Sequence, residues 1–389
     1  MVMKKILFTI GRLDNGGVAK SLLSLLSIID KQKYDISLLV VGSDHGHLSE
    51  VPKGVKIYTD PVLSYVDAGV AGLILLLKRG RLFLMLGSIL RLVVSQLNRG
   101  WGGLLLSKLM PVITEEYYDL IVDYNGQQML YYMVDKLKGK KKVSFFHNDY
   151  KKWAYYQSVD KRYYPKVDAV FTISPLCVQS MKDVFPEISH KVYLMENISN
   201  VSQIREKANE RIDFKRSHQY MIISVGHITK RKGSDIALNV ARKLKETGFD
   251  FEWLFIGEVH NDYNYEGFIN ENHLSGHVKM LGPINNPYPY VKEADIFVQL
   301  SRFEGKSLSL DEAKILEKPI VVTNFSSVND QFTNGVNASI CQMDADDACL
   351  KIRELLENEA LRQRYRDSLE KSIVDNSSEV EKIYKIIER

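Results

Sequence analysis

The sequence predicts an α/β protein with two domains, each built on a doubly wound parallel β-sheet. Short apolar runs typical of buried strands alternate with segments of helical periodicity along the whole chain. The chain has 389 residues, of which 45% are hydrophobic, and this length exceeds what one ordinary core accommodates. The predicted strands are Lys5–Ile10, Ser37–Val41, Leu120–Val122, Val143–Phe146, Ala169–Ile173, Met221–Val225, Trp253–Ile256, Val278–Leu281, Ile296–Leu300 and Ile320–Thr323.

The alternation is interrupted once, by a highly charged segment without glycine between Asn197 and Gln219. We place the domain boundary there, so that residues 1–198 form the first Rossmann-like domain and residues 199–372 form the second. The remaining residues, 373–389, contain apolar side chains at helical spacing. We expect this tail helix to pack back on the first domain.

Composition excludes some classes of protein. The formal net charge is only +4, with 52 Lys and Arg against 48 Asp and Glu, which gives no support for a nucleic-acid partner. The three cysteines have no zinc-ligand spacing and are odd in number, as expected in a reducing compartment. The first apolar run is too short for a signal peptide, and none reaches the ~18 residues of a spanning helix. These features favour the cytoplasm.

Residues 71–109 combine leucine-rich helical segments with six cations and contain no acidic residue. Basic amphipathic helices of this kind bind anionic membrane surfaces. The alternative is a pair of helices that face the core and expose a solvated basic side. The sequence favours contact with a membrane surface. The cations are Lys78, Arg79, Arg81, Arg91, Arg99 and Lys108.

Two carboxylates, Glu304 and Glu312, flank a turn that contains Gly305 and joins the predicted strand Ile296–Leu300 to a helix. A helix N-terminus offers unpaired N–H groups to an anion. Carboxylates beside an anion site fit a ligand that carries both phosphates and hydroxyl groups. The alternative is a solvated helix start. The N–H groups expected at the anion belong to Lys306, Ser307 and Leu308.

Two further loops follow predicted strands. Gly226-His227-Ile-Thr-Lys230-Arg231-Lys232-Gly233 places three consecutive cations where a bound anion would relieve their repulsion. The first loop contains Gly16-Gly17 but lacks the Gly-x-Gly-x-x-Gly pattern, which disfavours a nicotinamide dehydrogenase. His147 lies just after another strand, at the edge of the sheet where doubly wound folds bind ligands.

In this order, Gly16-Gly17, His147-Asn148-Asp149, Lys232-Gly233 and Glu304-x7-Glu312 resemble the motifs of retaining glycosyltransferases of family 4. The resemblance implies the GT-B fold, in which two Rossmann-like domains face a central cleft. The first domain would bind the acceptor and the second the nucleotide sugar. It implies a cytoplasmic enzyme, peripheral on the inner face of the cell membrane, without cofactor. This enzyme would move a sugar from a nucleotide donor, with a UDP-sugar favoured, to a lipid-linked saccharide. The product would serve the assembly of capsular or other surface polysaccharide or a related glycoconjugate.

The resemblance also implies roles for single residues. Glu304, Lys232 and His147 would act in catalysis. Asn197 would correspond to the interdomain asparagine, and loops at Gly257 and Gly282 would flank the base. The family's arginine after the glycine is His227 here, and Arg231 or Lys230 is the candidate replacement. The donor-binding residues would be Gly16, Gly17, Arg231, Lys232, Ile284, Glu304, Gly305, Lys306, Ser307, Leu308 and Glu312.

Two other functions remain compatible with the sequence. One is a non-catalytic GT-B partner subunit of another glycosyltransferase, which His227 in place of arginine would suit. The other is a nucleotide-sugar epimerase on the same fold. No metal site is predicted. Asp344-Ala-Asp346 precedes a helix and is expected to cap it, and His45-Gly-His47 has no third ligand nearby in sequence.

Overall fold

The computed structural model describes residues 3–14, 16–42, 48–373 and 375–388. The chain divides into two compact units, one of Met1–Ile198 with Ser377–Arg389 and one of Ser199–Asn376. His45-Gly-His47, to which the sequence assigns no metal-binding role, lies outside the described residues.

The first unit contains a seven-stranded sheet in the order β3-β2-β1-β4-β5-β6-β7, and every neighbouring pair is parallel. The order reverses between β1 and β4. Such a switch point opens a crevice at the carboxyl ends of the strands. The strands are β1 Lys4–Ile10, β2 Tyr34–Val40, β3 Val55–Thr59, β4 Tyr117–Asp123, β5 Lys138–Phe146, β6 Ala169–Thr172 and β7 Val192–Leu194.

Helices cover both faces of this sheet. Two of them start with ordinary capping chemistry: Asp60 and Ser174 accept hydrogen bonds from first-turn N–H groups, and each is followed by a proline in the first turn. The helices are α1 Gly17–Ile28, α2 Pro61–Asp67, α3 Gly69–Lys78, α4 Leu82–Leu97, α5 Arg99–Leu109, α6 Gln128–Lys136, α7 Gln157–Tyr163, α8 Pro175–Val184 and, near the end of the chain, α16 Glu381–Glu388.

Alternate residues of β1 enter two different cores. Ile6, Phe8 and Ile10 belong to the core on one face, and Leu7 belongs to the core on the other. Both faces are therefore buried, as expected for a parallel sheet. The apolar side of α16 completes the first of these cores, where Tyr384 stacks on Tyr34 with ring centroids 4.8 Å apart.

The second unit contains a six-stranded parallel sheet in the order β10-β9-β8-β11-β12-β13, with its switch point between β8 and β11. Two apolar cores again cover its faces. The strands are β8 Tyr220–Val225, β9 Phe251–Ile256, β10 Val278–Gly282, β11 Ile296–Gln299, β12 Ile320–Thr323 and β13 Ser339–Cys341. The helices are α9 Val201–Lys207, α10 Ser234–Glu246, α11 Tyr265–Glu271, α12 Tyr288–Glu293, α13 Leu308–Ile315, α14 Ala345–Glu357 and α15 Glu359–Lys371.

The predicted pair of doubly wound parallel sheets is confirmed, and each of the ten predicted strands overlaps an observed one. The sequence did not predict β3, β7 and β13. β3 is an edge strand with no fully buried residue, so it lacks the apolar signal of a central strand. β7 and β13 contain only three residues each.

Helix α4 exposes its apolar side to solvent. Its inner side carries buried Ser88 and also Arg91, which donates to the carbonyl of Val66 at 3.1 Å. We call its exposed apolar residues, together with those of α3, the outer apolar face. Phe83 is 90% exposed and Leu97 is 85% exposed. The other members are Val70, Ile74, Leu75, Leu77, Leu82, Leu86, Ile89, Leu90 and Val93.

Three cations lie exposed at the junction of α3 and α4, namely Lys78, Arg79 and Arg81. Arg79 also lies over the ring of Tyr65, 5.2 Å from its centroid. In the parts of the chain that the structure describes, no helix is both long and apolar enough to cross a membrane.

Candidate functional site

A small open cavity lies at the carboxyl edge of the second sheet. Its walls come from the end of β8, the start of α10 and the end of β11. Since β8 and β11 are the two strands between which the order reverses, the cavity lies where doubly wound folds bind their ligands. His227, Lys232 and Gln299 are among the polar residues that line it.

The loop from β8 to α10 is held against the end of β11. The backbone N–H of Lys232 donates to the Thr229 hydroxyl at 3.1 Å, and the N–H of Arg302 donates to the carbonyl of Arg231 at 2.8 Å. Gly233 has φ +72°, and a Cβ there would lie 1.7 Å from the carbonyl oxygen of Leu300. Only glycine fits this position. Its close approach brings Lys232 beside the end of β11.

Lys232 and Glu304 form an ion pair at this edge, with Nζ and Oε1 2.7 Å apart. The same oxygen accepts hydrogen bonds from Ser301 Oγ at 2.7 Å and from Gln299 Nε2 at 3.1 Å. Arg231 lies 4.0 Å from the other carboxylate oxygen. Glu304 is only 6% exposed, so its charge is buried but compensated. The structure therefore brings together three of the predicted site residues.

The turn after Glu304 leads into α13. Ser307 Oγ donates to Gln299 Oε1 at 2.9 Å, and the Ser307 N–H donates to Gln331 Oε1 at 3.1 Å. The side chain of Gln331 thus contacts one of the N–H groups that the sequence assigns to an anion. Gly305 is buried, Leu308 is partly exposed, and Lys306 Nζ lies 4.0 Å from Asp311.

Glu312 lies on the same helix, one to two turns beyond the anion site. It is 8% exposed, and its Oε1 accepts a hydrogen bond from the Tyr288 hydroxyl at 2.8 Å. Ile284, assigned to the donor base, is partly buried and packs against one of the second unit's two cores.

In the first unit, Gly16 caps α1 and Gly17 is its first residue. Neither has a positive φ, so this pair of glycines does not serve a left-handed backbone conformation. The N–H of Gly16 instead donates to Asp14 Oδ1 at 2.8 Å, and a Cβ on Gly16 would lie 2.7 Å from that oxygen. Glycine at this position permits the close approach of Asp14.

His147 follows β5 and is buried. Its Nε2 lies 3.0 Å from the carbonyl oxygen of Tyr124. Because a carbonyl only accepts, this nitrogen carries the proton and Nδ1 is an acceptor. Burial lowers the pKa of His147 from 6.5 to about 4, although hydrogen bonds to Tyr124 and Asn197 raise it in part. The ring is therefore neutral at pH 7 and suits a hydroxyl donor better than a phosphate.

The loop that presents the Tyr124 carbonyl is held by buried Asp123. Its carboxylate accepts hydrogen bonds from the N–H groups of Asn125 and Gly126, both at 3.0 Å, and from Ser144 Oγ at 2.7 Å. Burial raises the pKa of Asp123 to about 7 against these hydrogen bonds. Asn197, also buried, accepts from Ser21 Oγ at 2.9 Å.

The buried state of His147 leads to a prediction about stability. Its folded pKa lies below 6.5, so unfolding takes up a proton between about pH 6.5 and pH 4. Above pH 6.5 His147 has no effect on the free energy of unfolding. As the pH falls below 6.5, its protonation in the unfolded chain lowers that free energy. Between pH 7.5 and pH 5, the free energy of unfolding of His147→Gln should therefore fall by about 2 kcal/mol less than that of the parent. Urea unfolding at the two pH values measures this difference.

Asp123, whose pKa is raised, stabilises the fold as the pH falls, which is the opposite effect. Asp123 is present in both the parent and His147→Gln, so the difference between the two proteins reports His147 alone. Exposed His190 provides the control, and His190→Gln should keep the pH dependence of the parent. An identical pH dependence in the parent and in His147→Gln would contradict a neutral, buried His147.

The Asp-x-Asp string is a helix cap, as the sequence predicts. Asp344 accepts hydrogen bonds from the N–H groups of Asp346 and Asp347 at the start of α14. Asp346 pairs with Lys243 at 2.8 Å.

Sequence reasoning missed the uncharged partners of the site, which are Gln299, Ser301, Gln331 and Tyr288. One signal was available for two of them. Gln299 and Ser301 alternate at the end of an otherwise apolar buried strand, where a polar side chain needs a partner. Gln331 lies in a loop and Tyr288 begins helix α12, both far from the motif in sequence, and they gave no signal.

Known structures share this architecture along nearly the whole chain. HepE from Anabaena, in complex with UDP and glucose, matches with a TM-score of 0.69 and 13% identity over 98% of both chains. TarM from S. aureus, in complex with Fondaparinux, alpha-GlcNAc-glycerol and UDP, matches with a TM-score of 0.71 and 12% identity over 100% of both chains. The predicted GT-B fold is confirmed.

Residues 206–372 match the family model of Glycosyl transferases group 1. The match assigns a glycosyltransferase group 1 domain to the second unit, which contains the Lys232–Glu304 pair.

Two curated relatives are glycosyltransferases of polysaccharide or lipid-linked saccharide assembly. The N-acetylgalactosamine-N,N'-diacetylbacillosaminyl-diphospho-undecaprenol 4-alpha-N-acetylgalactosaminyltransferase of Campylobacter jejuni is 26% identical over 206 residues, 52% of this chain and 55% of the relative. The capsular polysaccharide biosynthesis glycosyltransferase CapH of Staphylococcus aureus is 30% identical over 159 residues, 39% of this chain and 42% of the relative. The alignments thus span about half the length of these relatives.

Proposed function

We propose that the chain is a retaining glycosyltransferase of family 4 that moves a sugar from a UDP-sugar to a lipid-linked saccharide in surface polysaccharide assembly. One observation carries the proposal: the Lys232–Glu304 pair lies next to an open cavity at the switch point of the second sheet. A cation for phosphate and a carboxylate for hydroxyl groups are adjacent there, and a sugar nucleotide carries both.

In the proposed reaction, the bond between the sugar's anomeric carbon and the diphosphate oxygen breaks. The acceptor hydroxyl forms the new bond on the same face, as in the family that the sequence resembles. Its proton passes to the departing phosphate, so no strong general base is needed. Lys232 and the N–H groups at the start of α13 stabilise the negative charge that develops on the diphosphate.

The remaining residues position the donor. Glu304 accepts hydrogen bonds from the sugar hydroxyls, and Glu312 accepts them from the ribose, next to the Tyr288 hydroxyl. His147 serves as a neutral hydrogen-bonding group, in keeping with its lowered pKa. Arg231 is the candidate for the second cationic contact, since it already lies 4.0 Å from Glu304.

The choice of donor and acceptor is supported by the relatives. HepE and TarM have been solved with UDP, and the Campylobacter jejuni relative is named for a diphospho-undecaprenol saccharide. The outer apolar face and its three flanking cations support a peripheral position on an anionic membrane, on the cytoplasmic side. Exposed apolar surface enters the lipid interface while the cations meet acidic headgroups.

A non-catalytic partner subunit is the second candidate, and His227 is the observation that favours it. A protein that only supports another transferase could lose the arginine that the family uses at this position. The retained Lys232–Glu304 pair favours the enzyme.

The test is a panel of nucleotide sugars, screened first by protection against thermal unfolding. A donor at 100 times its Kd adds ~2.7 kcal/mol to the stability of the folded state. The stabilising donor is then incubated with lipid-linked saccharides, and the anomeric configuration of the product is determined by NMR. A product with the donor's configuration supports the proposal. Binding without transfer or hydrolysis would favour the partner subunit, and isomerised donor without acceptor would indicate an epimerase.

Transfer should proceed without a divalent ion, because Lys232 and the N-terminus of α13 supply positive charge to the diphosphate. We expect the rate in excess EDTA to stay within about twofold of the rate with magnesium or manganese. Initial rates in the two buffers measure this. Activity that disappears in EDTA and returns with either ion would contradict a metal-independent reaction.

A further inference from the structure

Three potential metal ligands converge beside the cavity, of which His227 lines it. His227 Nδ1 lies 3.2 Å from His260 Nε2 and 3.8 Å from a carboxylate oxygen of Glu258, and His260 Nε2 lies 4.0 Å from the same oxygen. No other group of three or more such ligands occurs among residues 3–14, 16–42, 48–373 and 375–388.

The backbone fixes these side chains on one side of a short parallel ladder. Beyond the ends of β8 and β9, Ile228 pairs with Val259: its N–H donates to the carbonyl of Glu258 at 2.8 Å, and its carbonyl accepts from the N–H of His260 at 3.1 Å. Glu258 and His260 are two residues apart and so share a face of the extended chain. The two loops therefore hold the backbone that carries the three ligands in register before any ion arrives.

The distances suit a small transition-metal ion. Zn²⁺ binds imidazole nitrogen and carboxylate oxygen at about 2.0–2.2 Å, which separates ligand atoms in a tetrahedron by about 3.3–3.6 Å. Two histidines with one glutamate leave a position for water. Mg²⁺, by contrast, prefers an octahedron of oxygen ligands. The side chains are 36%, 67% and 47% exposed in the order His227, Glu258 and His260, so an ion can enter from solution.

We propose that His227, Glu258 and His260 form a binding site for Zn²⁺ or a similar divalent transition-metal ion. Binding requires both facing imidazole nitrogens to be unprotonated, so the proton between them is displaced. Each ring then keeps its proton on the other nitrogen. The site rests on these three side chains and does not depend on the proposed transfer, in which the ion takes no step.

The experiment uses the full chain without an affinity tag of histidines, after dialysis against a chelator. Zn²⁺ is titrated by calorimetry, and Co²⁺ by visible absorption, which reports the ligand geometry. We expect one ion per chain. His227→Ala and His260→Ala should each weaken binding at least tenfold, since even loss of an outer-shell partner costs 10- to 100-fold. His190→Ala, which removes an exposed histidine elsewhere, should bind as the parent does.

Circular dichroism and thermal unfolding without metal show whether each variant is folded, and His227→Gln and His260→Gln replace any alanine variant that is not. No binding by the parent, or equal affinity in the parent and in both folded site variants, would overturn the proposal. A cobalt–thiolate band in the near ultraviolet would also overturn it, because it would place the ion on one of the cysteines.

Discussion

Glu304→Gln is expected to lower the rate of sugar transfer by about 10²–10³-fold, the usual effect of losing a preorganised electrostatic contact. The amide keeps an oxygen that accepts from Ser301 and Gln299, so local packing survives. It loses the charge that strengthens hydrogen bonds to sugar hydroxyls and that holds Lys232 in place. The melting temperature should change by only a few degrees, because Lys232 is 19% exposed and can reach water. Initial rates and thermal unfolding measure the two effects.

The control is Glu271→Gln, the same change at an exposed residue of α11 in the same unit, which should leave both quantities unchanged. Lys232→Ala separates the roles of the pair. If Glu304 and Lys232 act as one unit, the double variant should be hardly slower than the worse single variant. Transfer at the parental rate by Glu304→Gln would contradict the site assignment and leave the carboxylate a structural role.

Changing Lys78, Arg79 and Arg81 to glutamate is expected to abolish flotation with anionic liposomes. Each cation contributes roughly 1 kcal/mol near such a surface, and each new carboxylate adds repulsion. Donor binding should persist, because the mutated residues lie outside the second unit. Co-flotation of the purified chain with vesicles of anionic and of neutral lipid measures the effect, and binding of the parent should weaken as salt is raised.

A matched variant carries the same three changes at exposed Lys53, Lys140 and Lys161, outside α3 and α4, and should float as the parent does. A second variant, with serine at Phe83, Leu86 and Leu90, tests the apolar contribution. These side chains are 90%, 60% and 55% exposed, so the fold should not depend on them. Unchanged flotation in both α3–α4 variants would assign the outer apolar face to a protein partner.

The sequence predicts the architecture well because central parallel strands are buried on both faces. Runs such as Ile320–Thr323 are apolar throughout and need no knowledge of their neighbours. The edge strand β3 has no such run, since its residues are mostly exposed. Its place in the sheet comes from pairing with β2, which is a tertiary contact.

The sequence predicted the individual residues of the candidate site, but not the ion pair between Lys232 and Glu304. Lys232 and Glu304 are 72 positions apart, and the sequence assigned each to a different part of the ligand. That they bind each other depends on the close approach at Gly233. For residues 71–109 the sequence favours a membrane-binding surface over helices that face the core, although the same periodicity usually places an apolar stripe against a core. The exposed apolar side of α4 agrees with an outward-facing surface.

The first unit is made from two separated stretches of chain, and this affects the order in which the protein can fold. Ile383, Tyr384, Ile386 and Ile387 of α16 are buried in its core, yet they follow the whole of the second unit in the chain and are synthesised after it. Until then, part of the core beside β1 and β2 stays uncovered. The second unit, Ser199–Asn376, is continuous and can complete its own core earlier. The first unit, most of which is synthesised before the second, can therefore complete its core only after the second unit has been synthesised.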